Sequence, residues 1–268
     1  MPIEKATGVI VRLADYSDTS QIATFVTDTA GIVRAIAKGS KRQDSATGGP
    51  LDLLTVNEIV FSTAKAGGLA TLREAKTIQR FQRLRRLQFY YAGLYFGELS
   101  GFFGEGSEGS SAFFDLLAST LCALETAEEE ALPCIVLFFE SHVLAAAGIA
   151  PTITTCARCG ATGPAGTSPA RISLDEGGII CPACPGGSPL SAGAVAALRR
   201  LFDSNLQGIQ RLRLKGQLLQ EVSGLLSAAV IYSAERVPRL LRYVKPGGLR
   251  AAEQWLGRAR QEANQLDK

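Results

Sequence analysis

The chain has 268 residues, of which 46% are apolar and 20% charged, with a formal net charge of +3. That length calls for two or three domains, and that balance is ordinary for a soluble globular protein. The most apolar stretch, Leu132 to Pro151, carries Glu140 and His142 and is too polar for a bilayer span, so no membrane partner is expected.

The first 80 residues carry strand patterns. Gly8–Leu13 is short and apolar, and Gln21–Val26 and Ile32–Ala37 flank a hairpin turn at Asp28-Thr29-Ala30-Gly31. A polar loop, Gly39–Pro50, precedes Leu51–Ser62 and Leu69–Thr77, with a turn at Ala66-Gly67-Gly68 between the last two. Five short strands in so little chain predict a small closed barrel. The OB-fold is the commonest solution and an SH3-like barrel the alternative.

At Phe81 the period changes. Phe81, Leu84, Leu87, Tyr91, Leu94 and Tyr95 recur at helical spacing, continuing to Phe102. A loop over Gly104–Ser111 precedes helices predicted over Ala112–Ala127 and Ala131–Ala147, the second stopped by Gly148 and Pro151. Ser191 is placed to cap a helix over Ala192–Asp203. Another helix spans Leu214–Ala234, and Pro246-Gly247-Gly248 separates it from a last helix holding Trp255. The expected fold class is α+β: a five-stranded OB barrel (1–80), a helical domain in two parts (81–151 and 190–268), and a cysteine module (152–189) between them.

The strongest motif is Cys156-x-x-Cys159 followed, 21 residues later, by Cys181-x-x-Cys184. Two such turns supply four sulfurs to one tetrahedral Zn2+, and the gap only slightly exceeds the usual ~15–20 residues. Gly160, Gly186 and Gly187 stand where the chain must turn around the ion. A closed four-sulfur site leaves no position for water, so the zinc is read as structural. Two disulfides are the competing reading. The N-terminus MPIEKATGVIVRL lacks a signal-peptide layout, and a cytoplasmic, reducing location is expected instead. Cys122 and Cys134 lie in apolar surroundings and are expected to be buried as small hydrophobes.

No catalytic constellation emerges. The single histidine, His142, lies on an apolar helix and is read as a packed residue, and there is no phosphate-binding glycine loop of either common kind. The glycines at 104, 106 and 109 have the wrong context for one. A binding protein is expected rather than an enzyme.

Charge is uneven along the chain. Residues 81 to 150 hold three arginines against nine acidic residues, and residues 151 to 268 hold fifteen basic against eight acidic. Such asymmetry points to a polyanion partner. On a strand, Arg34 and Lys38 share a face, Arg12 can join them, and Lys41 and Arg42 open a flexible loop. This is a basic surface with a mobile arm, suited to a nucleic-acid backbone. Arg80, Arg83, Arg85 and Arg86 could extend the path at the barrel-to-helix junction. Barrel aromatics are few (Tyr16, Phe25, Phe61), which predicts phosphate-dominated, salt-sensitive binding. An RNA-binding protein with a zinc ribbon and a zinc-stapled interaction scaffold remain the alternatives.

The segment Tyr16-Ser-Asp-Thr-Ser-Gln-Ile-Ala-Thr-Phe25, then Gly31 and Ala37-Lys38-Gly39-Ser40-Lys41-Arg42, resembles the N-terminal signature of the bacterial RecO family of recombination mediators. Gly148-Ile-Ala-Pro151, both cysteine pairs, Gly177-Gly178 and Leu190-Ser191 continue the resemblance, which runs from about residue 6 to 205. It implies an N-terminal OB-fold, a helical domain and a zinc module. It further implies binding to single- and double-stranded DNA, annealing of complementary strands, and action with RecR to load RecA onto DNA coated by single-strand-binding protein. The family's basic barrel face falls on Arg34, Lys38, Lys41 and Arg42. The resemblance also implies contact with the acidic, apolar C-terminal tail of single-strand-binding protein. Arg199, Arg200, Arg236, Arg239 and Arg242 are candidate rim residues for it. A cytoplasmic, nucleoid-associated location follows from the same expectation.

Overall fold

A computed structural model describes residues 2–42, 44–63, 68–106, 111–163, 169–245 and 247–266. Ala66 and Gly67 of the expected third turn, Gly109 and Pro246 lie outside the described residues. The chain divides into two compact units, Met1–Thr126 and Ala127–Lys268.

In the first unit β1 (Ile3–Asp15), β2 (Gln21–Thr27), β3 (Ile32–Ala37), β4 (Val56–Ser62) and β5 (Ala70–Gln79) close into a barrel with the order β1-β2-β3-β5-β4. This is the OB arrangement. β1 is long enough to pair with β4 along its first half and with β2 along its second, and β3 meets β5 in a short parallel pairing that closes the barrel. A bulge in β1 between Ile10 and Arg12 bends the strand from one partner towards the other. The hairpin between β2 and β3 turns where expected: Gly31 has φ of 62°, and Thr27 N–H donates to its carbonyl at 2.9 Å.

Alternation, interrupted at bulges, fills the barrel. Ile10, Ala23, Phe25, Val33, Ala35, Ala37, Ile59, Phe61, Leu72 and Ala75 form its buried core. The fourth strand differs from expectation. It starts at Val56 rather than Leu51, because Leu51–Thr55 is a loop folded on β1: Leu54 N–H donates to Ile10 O at 2.8 Å and Ile10 N–H to Thr55 O at 3.1 Å. Leu54 is buried there at a φ of 58°, a left-handed backbone that a strand excludes.

A 3₁₀ turn over Gln82–Arg85 leads into α1 (Leu87–Phe103), and α2 (Ala112–Thr126) completes the unit. The Glu125 carboxylate accepts the Gln82 and Arg83 N–H groups at 3.0 and 3.1 Å, satisfying the start of the 3₁₀ turn. The buried face of α1 is Phe89, Ala92, Tyr95, Phe96 and Leu99, and Leu87 is exposed. Gly97 faces Val11, where an added Cβ would come within 3.1 Å of Val11 Cγ1, so a glycine lets α1 approach the bulge of β1.

In the second unit α3 (Leu132–Ala146) is buried along most of its length, and Pro133 stands in its first turn. The cysteine module follows, with β6 (Ala170–Ser173) flanked by β7 (Gly178–Ile180) and β8 (Ser188–Leu190). Then come α4 (Ala192–Asp203), α5 (Leu206–Ile209), α6 (Gly216–Ala234), α7 (Leu241–Val244) and α8 (Gly248–Leu266). Ser191 caps α4 as predicted, its hydroxyl accepting Ala194 N–H at 3.1 Å. α6 and α8 meet at Gly224, where an added Cβ would lie 3.0 Å from Ala251 Cβ. No helix among the described residues is long and apolar enough to cross a membrane.

Candidate nucleic-acid interface and metal centre

The register of β1, β2 and β3 places side chains in rows. Arg12 pairs with Thr24, and Thr24 with Arg34. The inward residues Ala23, Phe25, Val33 and Ala35 alternate with these, so Arg12, Thr24 and Arg34 point outward in one row. Strands ~4.8 Å apart put the two arginine Cα atoms about 10 Å from each other. Two residues further along lies the row Ala14, Ile22 and Ile36. Lys38 follows the end of β3 and is exposed, as is Arg42.

These cations are not all equally available. Arg34 Nη2 bonds the Glu105 carboxylate at 2.5 Å, both side chains being more than half exposed. Lys41 Nζ reaches Asp15 Oδ1 at 2.7 Å. Lys41 and Arg42 do not stand on a free arm, contrary to the sequence reading. Lys41 N–H donates to Thr19 O at 3.1 Å, Gly39 N–H to Ser20 Oγ at 3.2 Å, and the buried Ser40 hydroxyl to Gln21 at 3.0 Å. The basic turn is thus sewn to the turn between β1 and β2.

At the barrel-to-helix junction Arg80 pairs with Asp52. Arg83 is half-buried with its guanidinium 4.8 Å from the Phe89 ring centre, a packing contact as much as a surface charge. Arg85 and Arg86 are exposed.

The four module cysteines converge. Their sulfurs all lie within 4.8 Å of one another, and Cys159 and Cys181 are 3.6 Å apart. A tetrahedral zinc with Zn–S of ~2.3 Å separates its sulfurs by roughly 3.8 Å, so the cluster fits such an ion. Each pair sits on a tight turn: Gly160 N–H donates to Cys156 O at 2.9 Å and Cys184 N–H to Cys181 O at 3.2 Å. Gly160, Gly186 and Gly187 all adopt positive φ, as their positions predicted.

The thiols are electrostatically unequal. Cys181 N–H donates to Cys156 Sγ at 3.3 Å, and backbone donors of this kind, Cys181 first, bring the Cys156 pKa down to about 6. Hydrogen bonds with the neighbouring sulfurs, Cys159 first, hold Cys184 protonated, up to about 12. Arg171 was missed in the sequence, where nothing marks it. Its guanidinium donates to the carbonyls of Gly186, Cys181 and Cys184, each at 2.7 Å, and so braces the second cysteine turn.

The remaining thiols separate. Cys134 is buried, and burial pushes its pKa up. Cys122 is exposed, contrary to the sequence reading, because it faces outward from α2, where Gln79 Nε2 donates to its sulfur at 3.3 Å. His142 is packed: its ring stacks on Phe138 with centroids 3.8 Å apart, Nδ1 lies 3.0 Å from Phe138 O, and burial lowers its pKa.

The candidate rim residues are spread over the second unit. Arg199, on α4, bonds Ile153 O at 3.3 Å, while Arg200 is exposed. Arg236 and Arg239 follow α6 and are exposed, and Arg242 on α7 lies over the Tyr243 ring at 4.8 Å. None of the five lines a groove of about 1410 Å³ in this unit, whose walls include Arg171, Lys245, Arg250, Trp255 and Arg258.

These features define a class: an OB-barrel protein with a cationic outer face and a four-thiol metal-site module. The first 81 residues match the family described as Recombination protein O N terminal, and residues 84–241 match Recombination protein O C terminal. The DNA repair protein RecO of Dehalococcoides mccartyi is 30% identical over 244 residues, covering 90% of this chain and 94% of that one. That of Anaeromyxobacter dehalogenans is 33% identical over 207 residues, covering 75% and 80%. The Symbiobacterium thermophilum protein of the same name is 26% identical over 243 residues, covering 88% and 94%. The chain belongs to the RecO family, and with that membership goes a role in DNA repair and recombination.

Proposed function

We propose that this protein is a recombination mediator that binds single- and double-stranded DNA on the outer face of β1–β3 and anneals complementary strands. With RecR, it loads RecA onto DNA coated by single-strand-binding protein. The observation that carries the reading is the register that aligns Arg12 and Arg34 on one outward row, with Lys38, Lys41 and Arg42 beyond it. Annealing makes and breaks no covalent bond. Two phosphate backbones repel, and a face that neutralises both lowers the cost of bringing strands together. Arg83, Arg85 and Arg86 extend the path.

A structural Zn2+ held by Cys156, Cys159, Cys181 and Cys184 staples the module. When bound, the ion supplies a fixed tetrahedral centre and no reactive position. The acidic tail of single-strand-binding protein is received by the second unit, with Arg199, Arg200, Arg236, Arg239 and Arg242 as rim cations. The protein acts in the cytoplasm at the nucleoid.

The test is the triple variant Lys38→Glu/Lys41→Glu/Arg42→Glu, assayed for binding of labelled single-stranded DNA across a salt series and for annealing. Loss of both in a folded variant is expected. Intact annealing would rule this face out.

A further inference from the structure

Of the three barrel aromatics, two are buried in the core: Phe25 is 0% exposed and Phe61 2%. Tyr16 is 63% exposed. It is the one exposed aromatic among the described residues of the five strands and their connecting turns.

Its place in the register gives it a neighbourhood. The last paired row across β1, β2 and β3 is Asp15, Gln21 and Ala37. The next residues outward are Tyr16, Ser20 and Lys38, and hydrogen bonds keep them together past the strand ends. Tyr16 N–H donates to Ser20 O at 2.9 Å, and Gly39 N–H to Ser20 Oγ at 3.2 Å. Tyr16 and Lys38 therefore flank Ser20, with Cα atoms roughly 10 Å apart. Alternation along β1 puts Arg12 and Ala14 on the outer side of the sheet, and alternation along β3 does the same for Arg34 and Ile36. Tyr16 and Lys38 are the first residues past the ends of these two strands, and both are exposed. The outward face is thus a small lattice. Arg12 and Arg34 stand in one outward row, the partly exposed apolar row Ala14, Ile22 and Ile36 comes next, and the exposed Tyr16 and Lys38 follow just past the strand ends. Asp15, next to Tyr16, also holds the Lys41 ammonium at 2.7 Å.

A face of cations alone treats any phosphate backbone alike. A ring standing beside them adds something only an unpaired strand can use. In a duplex the base faces are covered by their neighbours, while a single strand can splay a base onto an exposed ring.

We infer that Tyr16 is the base-stacking residue of this face and that it sets a preference for single-stranded over double-stranded DNA. This rests on the DNA-binding reading above. It adds a base contact to the phosphate-dominated binding expected from the sequence.

The test compares wild type, Tyr16→Phe and Tyr16→Ala for binding to a labelled single-stranded oligothymidylate and to a blunt duplex of equal length. Tyr16→Ala should weaken single-strand binding about tenfold and change duplex binding less than about twofold. Tyr16→Phe, which keeps the ring, should match wild type. An oligonucleotide with abasic sites should lose affinity for wild type and show no further loss with Tyr16→Ala. Equal loss on both DNAs, or no loss on either, would overturn the stacking role while leaving phosphate binding intact. Wild-type protein that binds neither DNA would overturn the DNA reading and this inference together.

Discussion

Lys245 donates to the carboxylate of Glu140 from 105 residues away, inside the second unit. The lysine side chain is 9% exposed and the glutamate 0%. The Ser227 hydroxyl lies between them, 3.0 Å from the ammonium and 3.4 Å from Glu140 Oε1. The three groups join α3, α6 and the C-terminal end of α7. Burial pulls the Lys245 pKa down and the carboxylate opposes it, so the charged state depends on the partner.

Removing one member should therefore cost more than removing both. Glu140→Gln leaves a buried ammonium and should destabilise the unit by about 3–5 kcal/mol. Glu140→Leu/Lys245→Met, which removes both charges, should cost well under the sum of the single changes. Urea unfolding followed by the fluorescence of Trp255, the sole tryptophan, reads the difference directly. Additive costs would show that the pair is not coupled.

The cysteine cluster makes a prediction about metal. Purified protein should carry one zinc per chain by elemental analysis, and Cys156→Ser/Cys181→Ser protein should carry none and lose stability in the second unit. Because thiols must give up protons to ligate, metal should be released as pH falls. A fully stable, metal-free double variant would refute the structural role. Arg171→Met should weaken zinc retention without touching a ligand, since three carbonyls of the second cysteine turn lose their donor.

Glu105 restrains one of the proposed phosphate contacts. Its ion pair with Arg34 is exposed and worth little by itself, on the order of 0.2–1 kcal/mol, but DNA must displace it. Glu105→Gln should raise DNA affinity about two- to fivefold at low salt, and the gain should fade as salt rises. Unchanged affinity would place Arg34 outside the DNA path.

His142 makes the second unit sensitive to acid. Its folded pKa lies below the ordinary 6.5 because burial disfavours the imidazolium. Above 6.5 the ring is neutral folded or unfolded, and its contribution is fully present. Below that, the unfolded chain takes up a proton that the folded unit resists, so stability falls as pH drops through the lower, folded value. Urea midpoints at pH 7.5 and 5.5 should diverge for wild type, and His142→Gln should flatten the difference. Equal slopes would assign the acid sensitivity to other groups.

The parts legible in the sequence are those set by near neighbours along the chain. The hairpin at Gly31, the Ser191 cap and the boundaries of α4 rest on three- and four-residue geometry. The two cysteine turns are equally local. Five strands were countable because core positions alternate, and one strand start was misplaced because Leu51 to Thr55 reads as apolar alternation yet folds as a loop on β1. Cys122 was misplaced for a related reason: an apolar neighbourhood in sequence does not say which side of a helix a residue takes.

By itself the sequence determined the barrel, the four-sulfur module and the family, since periodicity, spacing and turn chemistry act over a few residues. Only the tertiary structure decided which cations are engaged. Arg34 finds Glu105 across 71 residues, and Lys245 finds Glu140 across 105. It also decided that Arg171 braces a cysteine turn, and that Tyr16 and Lys38 come to flank Ser20 just beyond the strand ends. Pairings of this kind depend on strand order and register, which emerge only when the barrel closes and distant segments become neighbours.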